Sequence, residues 1–213
     1  MPINKNLNII FIHIPKCAGT SLATSFGIDP GLPPRHKKNL NILYGIDEKN
    51  NIVLQSLPFK YYSNYLDNNF INKATKITCV RNPYSRAVSD YLWCKRNCNS
   101  FYDFLKLIEK ILENKNEDEI IQYNNIHSNH FLPQYKYIEL NNQYDKIDII
   151  LKIENINEDF NKKIKNKFPQ FNLVHVNKNK SYNYLDYYKD KKCIELVNKI
   201  YKKDFQLFNY EIM

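Results

Sequence analysis

Glycine is scarce in this chain, at 4 of 213 residues. That excludes collagen-like chains and Gly-rich linkers, which need far more of it. Cysteine comes in an odd number, 5, at irregular spacing: Cys17, Cys79, Cys94, Cys98 and Cys193. Such a set is a poor disulfide framework. Cys94 and Cys98 stand four apart, but no second pair lies nearby to complete a zinc site. All five therefore read as reduced thiols in a cytosol-like compartment, and no metal is expected. No apolar run approaches the roughly 18 residues that a membrane-spanning helix needs. Met1 to Ile14 carries one Lys, runs straight into strand-like sequence and shows no small-residue cleavage site. The expectation is a cytoplasmic chain with no signal peptide and no transmembrane segment.

What is present points to one folded unit. Hydrophobic residues make up 43% of the chain, enough for a sizeable core and too much for wholesale disorder. A length near 200 residues suits a single domain, here residues 1–213. Asn, Lys, Ile and Tyr are over-used, as in an AT-rich genome, so the formal net charge of +9 owes part of its size to codon bias. A basic surface still attracts anions. On charge alone nucleic acid, acidic glycans and phosphorylated cofactors all remain open.

Leu7 to Ile14 is a nearly continuous β-branched and aromatic run, the pattern of a buried strand in a parallel sheet. Pro15 ends it. Thr20 or Ser21 is placed to cap a helix over Leu22, Ala23 and Phe26, which Gly27 closes. Ile52 to Leu54 reads as a short strand and the Tyr-rich Phe59 to Asn69 as a helix. Thr75 to Val80 is a second good strand, and Pro83 stands where the next helix begins. Ser100 caps a helix to about Asn114, with Phe101, Phe104, Leu105, Ile108, Ile111 and Leu112 as its apolar stripe. Asp148 to Ile153 is a third strand, Phe160 to Phe168 a short helix and Cys193 to Phe205 the last helix. Strands interleaved with helices predict an α/β sandwich with a mostly parallel sheet.

Two stretches carry chemistry. In Pro15-Lys16-Cys17-Ala18-Gly19-Thr20-Ser21, a tight loop follows a buried strand and opens a helix. Backbone N–H groups converge there, the helix dipole adds its positive end, Lys16 brings a full charge and Thr20 and Ser21 bring hydroxyls: an anion cradle. It is physically P-loop-like, yet the pattern G-x-x-x-x-G-K-[ST] is absent because Lys16 precedes Gly19. In the second stretch, Arg81-Asn82-Pro83 ends a strand at the same sheet edge if the two strands are parallel, which is where open α/β sheets bind ligands. Arg81 suits bidentate phosphate contact, and Ser89 lies two helical turns on.

Pro-Lys-x-x-Gly-Thr-Ser after one strand and Arg-Asn-Pro-x-x-Arg-x-x-Ser-x-Tyr after another resemble the sulfotransferases that use 3′-phosphoadenosine 5′-phosphosulfate (PAPS), in particular the carbohydrate branch, sulfotransferase family 2. His130-Phe131-Leu132-Pro133-Gln134, Ile153-Glu154-Asn155-Ile156 with Asp159-Phe160, and the tail Tyr201 to Tyr210 resemble further segments of that family, so the likeness spans nearly the whole chain. It implies a P-loop-like three-layer sandwich with helices flanking the sheet. It also implies in-line sulfuryl transfer from PAPS, leaving 3′-phosphoadenosine 5′-phosphate, to a hydroxyl of a carbohydrate or glycolipid, an acidic one included, without metal or nucleic acid. By the same resemblance Lys16, Cys17, Ala18, Gly19, Thr20 and Ser21 hold the 5′-phosphosulfate, Lys16 acting on the leaving phosphate. Arg81 and Ser89 hold the 3′-phosphate, and Asn179, Lys180 and Ser181 lie in a cofactor-side loop. Ser56, His130 and Gln134 fall on the acceptor side. Animal relatives are membrane-anchored, a feature not seen in this sequence.

The acceptor hydroxyl needs a base, and here the chain departs from the pattern. Many family members carry a His just before the segment that is Leu57-Pro58-Phe59 here, where this chain has Gln55-Ser56. His13, His127 and His130 are the candidate substitutes, with His130 favoured and His127 also readable as an exposed loop residue. Other readings stay open beside this one. A small-molecule kinase would require ATP and Mg²⁺, against which the missing Walker pattern counts. A catalytically degenerate module that holds nucleotide or glycan would fit the Gln55-Ser56 departure. Nucleic-acid binding rests on charge alone and would show steep salt dependence.

Overall fold

The computed structural model describes residues 2–28, 38–94, 98–122, 127–141, 143–144, 146–176 and 182–213. A two-residue strand, β1 (Ile3–Asn4), pairs antiparallel with β2 (Ile9–Ile12), the inner part of the predicted first strand. α1 (Gly19–Ser25) follows, and Gly27 closes it at φ +66°, the left-handed turn that glycine tolerates. β3 (Ile46–Asp47) and β4 (Ile52–Val53) form a separate antiparallel pair. The stretch expected as one Tyr-rich helix divides into a 3-10 segment, Phe59–Asn64, and α2 (Asn68–Lys73). Asp67 caps α2 by accepting from the N–H groups of Asn69 and Phe70. β5 (Thr75–Val80) is buried at every position.

α3 (Pro83–Cys94) starts on its proline, and α4 (Phe101–Asn114) is capped by Ser100, both as the sequence predicts. α5 (Glu117–Ile121), α6 (Gln134–Ile138) and β6 (Ile149–Lys152) come next. α7 (Ile156–Asp159) runs on into a π-helical segment, Phe160–Lys165. The last helix is broken at Tyr201 into α8 (Lys191–Ile200) and α9 (Lys202–Phe208).

The main sheet has the order β1-β2-β5-β6. β2, β5 and β6 are parallel, with Ile9 opposite Thr75 and Ile77 opposite Ile149. Strand residues alternate between two apolar layers. Ile10, Ile12 and Val80 join the side chains of α3, α4 and α8 on one face. Ile9, Phe11, Ile77, Cys79 and Leu151 meet Leu22 of α1, Phe26 just past its end, and Phe160 and Ile164 of the π segment on the other. This is the expected α/β architecture, a mixed sheet of mostly parallel strands flanked by helices. Each fully buried side chain of this kind contributes about 1.5–3 kcal/mol. Among the described residues no helix is long and apolar enough to cross a membrane.

Phe26 ties the second layer together. It is fully buried and its ring meets those of Phe11, Phe160 and Phe171 at 5.4, 6.1 and 5.6 Å between centroids. Phe26→Ala should cost about 3–5 kcal/mol in urea unfolding, against about 0.5 kcal/mol or less for a polar substitution at the exposed Leu207.

Candidate active site

Because β2 and β5 are parallel, the loops after them leave the same edge of the sheet. In the first loop Lys16 (φ +67°) and Ala18 (φ +58°) both adopt left-handed backbone, a costly conformation for residues other than glycine. The double turn starts α1 at Gly19, earlier than expected. Ala18 occupies the cap position and no side chain caps the helix. Thr20 and Ser21 are thus not caps but first-turn residues, and with Gly19 they line a cavity of about 670 Å³. The N–H groups of an uncapped first turn carry the positive end of the helix dipole toward it.

Gly19 is required by a neighbour. A Cβ there would lie 1.8 Å from Nε2 of the His13 ring, an impossible overlap. The Nδ1 atom of His13 is buried without a hydrogen-bond partner among the described residues. Burial, reinforced by nearby positive charge that includes Lys16, pushes its pKa down to about 3. A ring so weakly basic stays neutral near pH 7 and is poorly matched to taking a proton there. The structure gives His13 a packing role over Gly19.

Cys17 requires a correction. Its N–H donates to Ile14 O at 3.3 Å, and its thiol faces Pro15 O and Gln134 Oε1 in the interior. Burial pushes that thiol up to about 12. Neither its N–H nor its side chain is offered to a ligand. Lys16 does line the cavity, with Nζ 4.9 Å over the Trp93 ring. Burial pushes its ammonium down from the ordinary lysine value, and Asp90 works against that shift.

Gln134 also needs correcting. It is fully buried, and its amide grips the Arg81 backbone at both ends: Oε1 accepts from Arg81 N–H at 2.9 Å and Nε2 donates to Arg81 O at 2.8 Å. It positions the second loop and does not face an acceptor. The Arg81 guanidinium donates to Ser85 Oγ at 2.8 Å, to Lys16 O at 3.3 Å and to Tyr182 OH at 3.3 Å. Among the described residues no carboxylate pairs with Arg81 or Lys16, so both charges stay available to an anion. Ser89 is buried and lines the same cavity.

Another wall of the cavity is built around His130. Its Nδ1 lies 2.9 Å from Asp90 Oδ1, and its ring stacks on Trp93 at 4.5 Å and 20°. Ser56 Oγ accepts from Asn129 Nδ2 at 2.7 Å, and both residues line the cavity. Ile153 and Ile156, just past β6, and Leu173 and His175 complete the lining with apolar surface and one imidazole. Asn179, Lys180 and Ser181 lie outside the described residues.

Sequence reasoning assigned no role to Asp90, Arg86 or Trp93. Asp90 follows Ser89 directly, but its partner His130 stands forty residues away, so nothing local pairs them. Arg86 could have been singled out from its place in the second motif. It is buried, and donates to Pro15 O at 3.2 Å and His130 O at 2.7 Å. Among the described residues no group of three or more His, Cys, Asp or Glu is arranged to hold a metal ion.

A family model described as "Sulfotransferase family" matches residues 1–211. No curated protein and no solved structure matches the chain.

His13 supplies a pH test. Its folded-state value, about 3, lies below the ordinary 6.5. The unfolded chain therefore takes up this proton first, and stability is lost as pH falls from about 6.5 toward 3. His13→Phe keeps a ring over Gly19 without a titrating nitrogen. Between pH 7 and pH 4, urea unfolding should show the parent protein losing about 3 kcal/mol more than the variant. Equal losses would contradict a neutral His13.

Proposed function

Because the chain belongs to the sulfotransferase family, we propose that it moves a sulfuryl group from PAPS to a hydroxyl of a carbohydrate or glycoconjugate acceptor. One observation carries the reading beyond the family. Lys16 and Arg81, from the ends of two parallel strands, face one cavity, and Arg81 Nη1 donates to Lys16 O. Two cations that no carboxylate pairs among the described residues, beside an uncapped helix start, suit a ligand with phosphate groups at both ends of a ribose. A volume of about 670 Å³ is in the range of nucleotide-sized sites.

The roles follow from the donor set. Lys16 with the first-turn N–H groups of Gly19, Thr20 and Ser21 would hold the 5′-phosphosulfate. Ser21 Oγ accepts from Val176 N–H at 3.2 Å, which leaves its O–H free to donate to that group. Arg81 and Ser89 would hold the 3′-phosphate. Ile153, Ile156 and Leu173 offer apolar surface for the adenine, and Lys180 and Ser181 belong to the same proposed cofactor side. When bound, PAPS supplies the sulfuryl group and a phosphate that leaves with the electron pair of the broken S–O bond.

On the acceptor wall, Ser56 is held by Asn129 and is no base at neutral pH. His130, which lines the cavity, would accept the acceptor's proton. Lys16 stabilises the charge that develops on the phosphate side. Positioning and electrostatics of this kind dominate related group transfers.

Lys16→Ala and Arg81→Ala should each lower sulfuryl transfer by about 10²–10³-fold, the usual cost of losing one preorganised donor. Circular dichroism should show both variants folded. Undiminished transfer in both would remove the assignment.

A further inference from the structure

Asp90 stands outside the donor cradle and outside every role assigned above. It lies on α3, one residue beyond Ser89, and is 3% exposed. A buried carboxylate is stable only when its charge is met. Four groups meet this one. His130 Nδ1 lies 2.9 Å from Oδ1, the Cys94 thiol lies 3.8 Å from the same oxygen, and the charges of Arg86 and Lys16 act on it. Burial pushes the carboxyl up, but the facing imidazole and the two cations outweigh it and hold it below the usual carboxylate range.

An ionised carboxylate has no proton to give. The 2.9 Å contact must then be an Nδ1–H donating to Oδ1. That sets the neutral tautomer of His130, with Nε2 as the ring nitrogen that carries a free lone pair. His130 O is meanwhile held by Arg86 Nη2, and the ring is flanked by Trp93. Ring, tautomer and backbone are all fixed, as a general base requires.

We propose that Asp90 is the positioning residue for His130: it locks the Nδ1–H tautomer and stabilises the imidazolium formed when Nε2 takes the acceptor proton. The proposal rests on the sulfotransferase reading. The balance is simple. The acceptor O–H proton goes to Nε2, its oxygen bonds to sulfur, the S–O bond to phosphate breaks, and the phosphate keeps that electron pair. Asp90 stays ionised throughout. The pair would supply from α3 and the turn before α6 the base that the chain lacks at Ser56.

Among the described residues the ionisable groups around the His130–Asp90 pair are Arg86 and Cys94 of α3, Lys16 of the loop after β2, His13 of β2 and His127 of the same turn. His130 Nδ1 lies on Asp90 Oδ1, and the cations Lys16 and Arg86 have no acceptor to offer it, so a substitution at Asp90 acts on the acceptor of that proton. Two measurements test it. The first needs no substrate: ¹⁵N NMR of the histidine rings in the free protein, with His130 assigned through His130→Gln. The Nδ1–H tautomer is expected for His130 in the parent and a shift toward Nε2–H in Asp90→Asn. An Nε2–H tautomer in the parent would overturn the proposal whatever the variant does.

The second is the kinetics of Asp90→Asn with PAPS and acceptor. The turnover number should fall about 10²–10⁴-fold. The acid limb of the profile should move to lower pH, since the imidazolium loses its counter-charge. Affinity for 3′-phosphoadenosine 5′-phosphate should be unchanged, and Asp90→Asn/His130→Gln should be no slower than His130→Gln alone. Full turnover in Asp90→Asn beside an active parent would sink this proposal and leave the sulfotransferase reading standing. Loss of nucleotide affinity along with turnover would make Asp90 a structural residue and overturn its positioning role. A parent that neither transfers sulfuryl nor binds the nucleotide would remove both readings.

Discussion

The Arg86 guanidinium is buried in α3 and donates to Pro15 O and to His130 O. Those two carbonyls belong to the loop that opens the anion cradle and to the turn that carries the acceptor-side imidazole. One planar, always-charged group thus sets the distance between the two halves of the site. Its burial is tolerable because the charge is met. Asp90 and Asp204 both lie in its field, and the Tyr201 ring faces it at 5.7 Å. Taking away one member of such a set leaves the others uncompensated, at a cost of about 3–5 kcal/mol.

The segments that share the family pattern are connected by the same logic. Asp204 in α9 accepts from Gln134 N–H at 2.8 Å and from Tyr135 N–H at 2.9 Å, which starts α6 where it is needed. Gln134 then grips Arg81 by both backbone groups. Glu154 accepts from Asn82 N–H at 2.7 Å and from Tyr210 OH at 2.9 Å. The tail therefore serves the Arg81 loop although it lies far from it in sequence. A motif at the end of the chain acts on charge placement at the middle of it.

Local features were readable where the physics is local. β5, the Pro83 start of α3 and the Ser100 cap of α4 stand where strand composition and capping chemistry put them. β1 and β3 are two residues long, too short for any periodicity, and exist only because a partner strand pairs with them. The start of α1 was misplaced because the left-handed turns at Lys16 and Ala18 use residues that rarely adopt them. Lys16 and Arg81 read in the sequence as charges at strand ends and Ser89 as a hydroxyl on the following helix, and all three line one cavity. A motif residue does not reveal which way it faces, and Cys17 and Gln134 both turn into the interior. Asp90 was silent because its meaning depends on a histidine that only tertiary packing delivers.

Two strand ends and one helix start are proposed to form a site for a nucleotide phosphorylated at its 3′ and 5′ positions. Calorimetric titration of the protein with 3′-phosphoadenosine 5′-phosphate and, separately, with ATP tests it most directly. Saturable binding of the former, with ATP much weaker, is the predicted result. No binding of 3′-phosphoadenosine 5′-phosphate, or a preference for ATP, would contradict the account.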